Sequence, residues 1–138
     1  MGLSTALKNA ILDEVFGAVD YTAETDIYIG LSSTTPTVTG TNVTEPSGGS
    51  YARVQKTNNA TNWPSASGGA KSNGTAITFP TATGDWVSGA DLTHVVLYNA
   101  ASSGTFLGYG ALTTPKPVLN GDTASYAIGE LDITLVDA

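Results

Sequence analysis

The stretch of sequence that decides the fold is LTHVVLYN, residues 92–99. Within it, Val95 and Leu97 alternate with Val96 and Tyr98. A period of two is typical of a β-strand, because successive side chains of a strand point to opposite faces of the sheet. With His94 in the same row as Val96 and Tyr98, the segment gives the strongest prediction of a strand in the chain.

Similar patterns occur on both sides of this segment. They lie at residues 26–32, 51–57, 76–79, 105–112, 123–128 and 131–136. Turn-forming residues separate them, as in Asn120-Gly121-Asp122, which is typical of a tight hairpin. About eight short antiparallel strands with turns between them predict an all-β fold, a jelly-roll-like β-sandwich.

The core of this sandwich can be predicted from the alternation alone. We expect eight aliphatic side chains to be mostly buried between two sheets. They are Ile27, Ile29, Leu31, Val95, Leu97, Leu131, Ile133 and Leu135.

Helical periodicity is found at the N-terminus. Leu7, Ile11 and Val15 recur every four residues behind Ser4, which can cap a helix, so we predict a helix over residues 4–18. Its apolar face is wide, and so short a helix is marginal by itself. It must therefore pack on its own domain or on a neighbouring chain.

Length and charge exclude several classes of protein. The 138 residues correspond to a single domain over 1–138, with the sandwich over about 26–137. Five Lys and Arg against twelve Asp and Glu give a net charge of -7, and the basic residues form no cluster. Nucleic acid and an acidic membrane surface are therefore not expected as partners. The absence of cysteine excludes disulfides and Cys-based zinc sites.

The sequence contains no pattern that predicts catalysis. His94 is the single histidine, and its place within an alternating strand favours a structural role over that of a catalytic base. Asp85, Asp91 and Asp122 lie in turns without the spacing of a calcium loop, where local backbone hydrogen bonds are their usual role. We expect no catalytic residues, no metal site and no cofactor.

Two long loops, residues 33–50 and 58–75, are the expected places for function. Tyr, Arg and Trp, the residue types favoured at interface centres, lie at or near their ends. With the helix, they supply the candidate interface residues Leu7, Ile11, Tyr51, Arg53 and Trp63. The alternative for Trp63 is that its ring folds back over the end of the sandwich.

Several longer segments carry a family resemblance. They are IYIGLSSTTP (27–36), EPSGGSYARV (45–54), NNATNWP (58–64), FPTATGDW (79–86) and YGALTTPK (109–116). In this order they resemble a family of small tailed-phage and prophage proteins. Its members include tail-fibre-like proteins, and others are similar to the capsid cement (decoration) proteins of short-tailed phages, which adopt a jelly roll.

The resemblance implies a structural virion protein without enzymatic activity. Our first expectation is a capsid cement protein on the outer surface of the phage head, which bridges subunits of the major capsid protein and forms dimers or higher oligomers. One compact domain, the lack of a fibre-like repeat and the acidic charge favour it. The alternative is a tail-fibre or tail-tip component involved in host attachment.

Overall fold

The computed structural model describes residues 1–135 of the chain. The last residues of the sequence, 136–138, lie outside the described residues, and so does the predicted end of the last strand at Val136. Within the described range, the chain folds into one helix and short strands. An all-β fold of antiparallel strands with a short N-terminal helix is thereby confirmed.

The elements follow one another in a simple order. They are β1 (Gly2–Leu3), α1 (Thr5–Gly17), β2 (Asp26–Ser32), β3 (Val54–Thr57), β4 (Ala70–Ser72), β5 (Ile77–Thr78), β6 (Leu92–Tyr98), β7 (Phe106–Lys116), β8 (Ser125–Tyr126) and β9 (Asp132–Thr134). The helix is too short to cross a membrane. The predicted bounds of the first long strand and of the helix agree closely with those of β2 and α1.

The main sheet has five antiparallel strands in the order β1-β7-β6-β2-β3. Strand β6, which corresponds to the strand predicted at residues 92–99, lies in its middle and pairs with β2 and β7. Two further antiparallel ladders, β4-β9 and β5-β8, have two strands each. They supply side chains that cover one face of the main sheet, so the second layer is built from short ladders and loops.

The core lies between the main sheet and this second layer. The sheet contributes Ile29, Leu31, Val95, Leu97 and Leu107, and the second layer contributes Trp63, Ile77, Phe79, Trp86 and Leu131. The rings of Phe79 and Trp86 meet edge to face, with their centroids 6.0 Å apart, a favourable arrangement for aromatic pairs. A smaller cluster of Val96, Tyr98 and Phe106 lies on the opposite face of the sheet.

The predicted core agrees with this arrangement except at one residue. Five of the eight aliphatic side chains are buried, and Ile27 and Ile133 are half-buried against the same cluster. Leu135 is 58% exposed, so its predicted burial was wrong. Leu135 follows the last pair of the β4-β9 ladder, Ala70–Thr134, and its N–H still donates to the Gly69 carbonyl (3.0 Å), but its side chain does not pack on the main core.

Strand β7 is longer than predicted, because it continues through Pro115 to Lys116. A proline lacks the N–H that a central strand must donate, which confines it to sheet edges and bulges. Two features of the pairing accommodate Pro115. β1 pairs with β7 only at Gly108 and Tyr109, and the register between β7 and β6 shifts between the pairs His94–Ala111 and Leu92–Lys116, so Pro115 lies in an irregular stretch of the strand.

Candidate assembly surface

Helix α1 is tied to the main sheet at its N-terminal end. The Ser4 hydroxyl accepts a hydrogen bond from the Leu7 N–H (3.1 Å), which caps the helix as predicted. The Ser4 N–H in turn donates to the carbonyl of Leu107 in β7 (2.8 Å). The helix therefore leaves the sheet at a fixed point, directly after β1.

One side of the helix rests on the domain. The candidate interface residues Leu7 and Ile11 lie on this side and are half-buried, and Leu7 packs against the main core. No residue of the helix is fully buried, however. The helix thus sits on the surface of the domain and is not a plug inside the sandwich.

The solvent-exposed surface of the helix, next to the side with Leu7 and Ile11, carries a group of apolar side chains, which we call the apolar helix face. Its members are Leu12 (54% exposed), Val15 (63%), Phe16 (83%) and Val19 (60%). Leu12, Val15 and Phe16 are three and four residues apart and share one stripe of the helix, whereas Val19 follows the left-handed cap residue Ala18, after the helix has ended. Scattered surface hydrophobes need no explanation, but a contiguous apolar patch is typical of an interaction site.

Acidic groups accompany this face. Asp13, Glu14 and Asp20 are exposed next to it in sequence, whereas Lys8 is the basic residue of the helix. The carboxylate of Glu14 accepts a hydrogen bond from the Tyr21 N–H and so fixes the chain that follows the helix. Lys8 lies four residues before Leu12 and so in line with this face, and a partner that covers it would therefore meet apolar side chains together with one cation and nearby acidic groups.

The candidate interface residue Arg53 uses its side chain within the chain. Its guanidinium forms an ion pair with Glu45 (Nη2 to Oε2, 2.6 Å) and donates to the carbonyls of Ala100 and Ser103 (both 2.8 Å). The guanidinium carbon also lies 3.6 Å from the centre of the Tyr98 ring, a cation–π contact. Arg53 therefore fastens the long loop before β3 to the turn between β6 and β7.

Tyr51 belongs to the same polar cluster. Its hydroxyl donates to Glu45 Oε1 (2.7 Å) and accepts from the Leu31 N–H (2.9 Å). Burial, and secondly the Glu45 carboxylate, raise the pKa of Tyr51 far above its usual value. Gly30 makes room for the cluster, because a Cβ atom there would lie 2.5 Å from Glu45 Oε1.

Trp63 is only 4% exposed and belongs to the main core, as the alternative for this residue predicts. An interface role for Tyr51, Arg53 and Trp63 would require surfaces that these side chains do not present in the single chain. Of the regions that contain candidate residues, helix α1 is therefore the one that presents an accessible apolar surface. Glu45 was not among the predicted residues, although it is the only charged residue in the loop 33–50 and Arg53 is the only arginine in the chain.

In the described part of the chain, the neighbours of His94 do not form a catalytic set with it. The side chain is half-buried, its Nδ1 lies 2.8 Å from Thr93 Oγ1, and its ring lies beside Tyr109. Burial lowers the pKa of His94, which favours the neutral imidazole. Within residues 1–135, no three His, Asp or Glu side chains converge to hold a metal ion.

Comparison with known proteins gives one informative result. A family model described as "Podophage GP4 fiber I protein gp80" matches residues 2–134. No curated protein matches the chain significantly. The matched range runs from β1 through β9 and includes α1, so the apolar helix face is part of the domain that the family model describes.

Proposed function

Because the chain belongs to the podophage GP4 fiber I protein (gp80) family, we propose that it is a non-enzymatic subunit of a phage fibre, attached within the virion through the apolar helix face. Membership of this family makes it a structural protein of the phage virion. The fibre location takes its support from the description of the family. The mode of attachment takes its support from the helix, as follows.

The proposed attachment is supported by a difference in burial: the apolar side chains of the core are buried, whereas those of the apolar helix face are exposed. A fully buried large apolar side chain contributes about 1.5–3 kcal/mol relative to an exposed one. Association costs an estimated 4–15 kcal/mol in lost freedom, so one exposed residue would not hold two subunits together. Four neighbouring residues, from Leu12 to Val19, supply a contribution of the required order.

The net charge of the chain argues for a partner other than a second copy. Two copies, each with a net charge of -7, repel one another when they come into contact. A neutral or basic virion protein avoids this repulsion. Charges around such a contact mainly determine which partner binds and how fast the two proteins associate.

A second candidate is the capsid cement protein that the sequence analysis put first. It is favoured by the compact described domain, which has no fibre-like repeat, and by the acidic charge, which suits the outer surface of a head. In this case the apolar helix face would rest on the major capsid protein. In both candidate functions the apolar helix face binds another virion protein, but the two differ in the location of the chain in the particle and in its copy number.

Counting copies per particle separates the two candidates. Purified phage would be analysed by mass spectrometry with labelled standard peptides, using the major capsid protein as the internal reference. A fibre subunit is expected at low copy number, and a cement protein in numbers comparable with those of the capsid subunits. Antibody labelling in electron micrographs gives the location independently. Absence of the chain from purified particles would contradict both candidates.

A further inference from the structure

The sequence contains two Asn-Gly pairs, Asn73-Gly74 and Asn120-Gly121. In such a pair the backbone nitrogen of the glycine can attack the side-chain carbonyl carbon of the asparagine, because glycine has no side chain that obstructs the approach. The attack breaks the carbon–nitrogen bond of the side-chain amide, expels ammonia and closes a succinimide ring. Water then opens the ring to aspartate or isoaspartate. In a folded chain the reaction requires a free asparagine side chain and a free glycine N–H.

The side chain of Asn73 is fixed within the fold, and the residue is only 2% exposed. Its Nδ2 atom, the nitrogen that would leave as ammonia, donates hydrogen bonds to the carbonyls of Thr75 and Ala127 (both 2.9 Å). Its Oδ1 atom accepts a hydrogen bond from the Leu131 N–H (2.9 Å). Rotation of this side chain toward Gly74 would leave buried backbone groups without partners, which is unfavourable.

The backbone of Gly74 is enclosed as well. Its N–H donates to the Asn62 carbonyl (2.7 Å). A Cβ atom on Gly74 would overlap the Thr61 carbonyl oxygen and lie 2.7 Å from Pro64 Cδ, so this residue is closely packed. The side chain of Asn73 could therefore reach the Gly74 nitrogen only if the loop with Thr61 and Pro64 moved away from it.

The second pair lies at the tip of the hairpin between β7 and β8, where Asn120 and Gly121 are both exposed. The Asn120 backbone N–H donates to Asp85 Oδ1 (3.0 Å), but its side-chain amide has no hydrogen-bond partner among the described residues. A Cβ atom on Gly121 would meet nothing within 4 Å beyond its chain neighbours. Packing therefore does not obstruct the approach of the Asn120 side chain to the Gly121 nitrogen.

One hydrogen bond restrains the nitrogen of Gly121. Its N–H donates to the Ala82 carbonyl (2.8 Å), and the Ala82 N–H donates to the Asp122 carbonyl (2.9 Å). Both bonds lie at the tip of the hairpin, where local opening requires much less free energy than opening of the packed core. Opening of the tip frees the Gly121 nitrogen, whereas Asn73 and Gly74 become free only when a larger part of the fold opens.

We propose that Asn120 is a site of spontaneous deamidation in the folded chain and that the fold protects Asn73. The net reaction consumes a water molecule, releases ammonia and replaces the neutral side-chain amide with a carboxylate at neutral pH. It requires no other reactant. The hairpin tip does not include the apolar helix face, so this inference is separate from the proposed function.

The new carboxylate would lie beside two others. Asp85 Oδ1 accepts the Asn120 N–H, and Asp122 Oδ2 accepts the Leu119 N–H (both 3.0 Å), so these carboxylates hold the backbone of the tip. A further negative charge next to them is unfavourable, and isoaspartate also lengthens the backbone by one atom. We therefore expect the modification to weaken the hydrogen bonds between the tip and Ala82.

Hydrogen exchange measures this weakening, with Asn120→Gln as the matched control. The variant keeps an exposed amide, but its longer side chain would have to close a larger and less favourable ring. After ageing in a mildly alkaline buffer, the Ala82 and Gly121 amides should exchange faster in the wild type than in the variant. Unchanged exchange in modified wild-type protein would contradict the expected effect on the tip.

Peptide mass spectrometry of the aged protein tests the site itself. In the folded protein, deamidation at Asn120 should be about tenfold or more faster than at Asn73. In concentrated urea the two rates should become similar, because both pairs then have the same local chemistry. Equal rates at the two sites in the folded protein, or reaction at both sites only in urea, would overturn the inference.

Discussion

Strand β6 and helix α1 have similar apolar sequences and opposite surroundings. Of the seven residues of β6, five are buried, whereas none of the 13 residues of α1 is. The strand has a paired neighbour on each side and a covered face, so its side chains stabilise the isolated chain. The helix contacts the domain through one side only and leaves its larger side chains in solvent.

This difference separates two uses of apolar residues in one small domain. Those of the sheet are explained by folding alone, because they fill the core. Those of the apolar helix face are exposed and contribute little to folding, which supports the proposal that they contact another molecule. Substitutions in the two regions should therefore have different consequences, and the predictions below compare them.

The largest loss of stability is expected at the Arg53 clamp. Arg53→Ala leaves the half-buried Glu45 without its cation and removes the contacts with Ala100 and Ser103. Breaking a buried ion pair in this way costs about 3–5 kcal/mol. Urea unfolding at neutral pH measures the change. Arg53→Lys, which keeps the charge but not the forked geometry, should lie between the variant and the wild type.

A core residue should give the next largest effect. Leu97→Ala in β6 removes a buried side chain and leaves a cavity, so we expect a loss of about 2–5 kcal/mol. Thermal or urea unfolding measures it. The matched control is Leu12→Ala on the helix, for which the expected change is below about 0.5 kcal/mol. Equal losses for the two variants would remove the distinction between the two regions.

The pH dependence of stability tests the burial of Tyr51. Its pKa is higher in the folded chain than in the unfolded chain, so folding favours the protonated hydroxyl. This contribution is complete below about pH 10, the unfolded value, and is lost as the pH rises above it, by up to about 1.4 kcal/mol per pH unit. Tyr51→Phe lacks this titration, so the stability difference between wild type and variant should change above pH 10. A difference independent of pH would contradict the burial of this hydroxyl.

The smallest effect on stability is expected on the apolar helix face. Phe16→Ser changes an 83% exposed side chain, so the free energy of unfolding should fall by no more than about 0.5–1 kcal/mol, mostly through helix propensity. Ala6→Ser is the matched control, because Ala6 is exposed on the same helix but off the apolar face. A much larger loss for Phe16→Ser would show that the helix face belongs to the fold.

The elements that could be predicted from the sequence are those with a long run of periodic apolar residues or with a helix-capping residue. The alternation in β2 and β6 and the Ser4 cap of α1 fall into this group, because each depends on local chemistry. Strands β1 and β4 were missed, since two or three residues have no measurable period and pair only through the tertiary fold. For the same reason alternation alone could not show that the ladder stops before Leu135.

The candidate site was predicted only in part. A wide apolar stripe on the helix was visible in the sequence, but which side would face the domain depends on how α1 leaves β1, and that is a tertiary property. Arg53 and Trp63 were suggested by residue type alone. Their partners, Glu45 and the main core, come from distant parts of the chain that no local pattern connects.

The most direct test of the account is the incorporation of a helix-face variant into phage particles. Val15→Ser combined with Phe16→Ser would be compared with wild type and with Ala6→Ser, and copies per purified particle would be counted by mass spectrometry. The account predicts that the double variant folds with nearly unchanged stability and is largely lost from particles, while the control is retained. Incorporation of the folded double variant at the wild-type level would contradict the assignment of this face as the attachment surface.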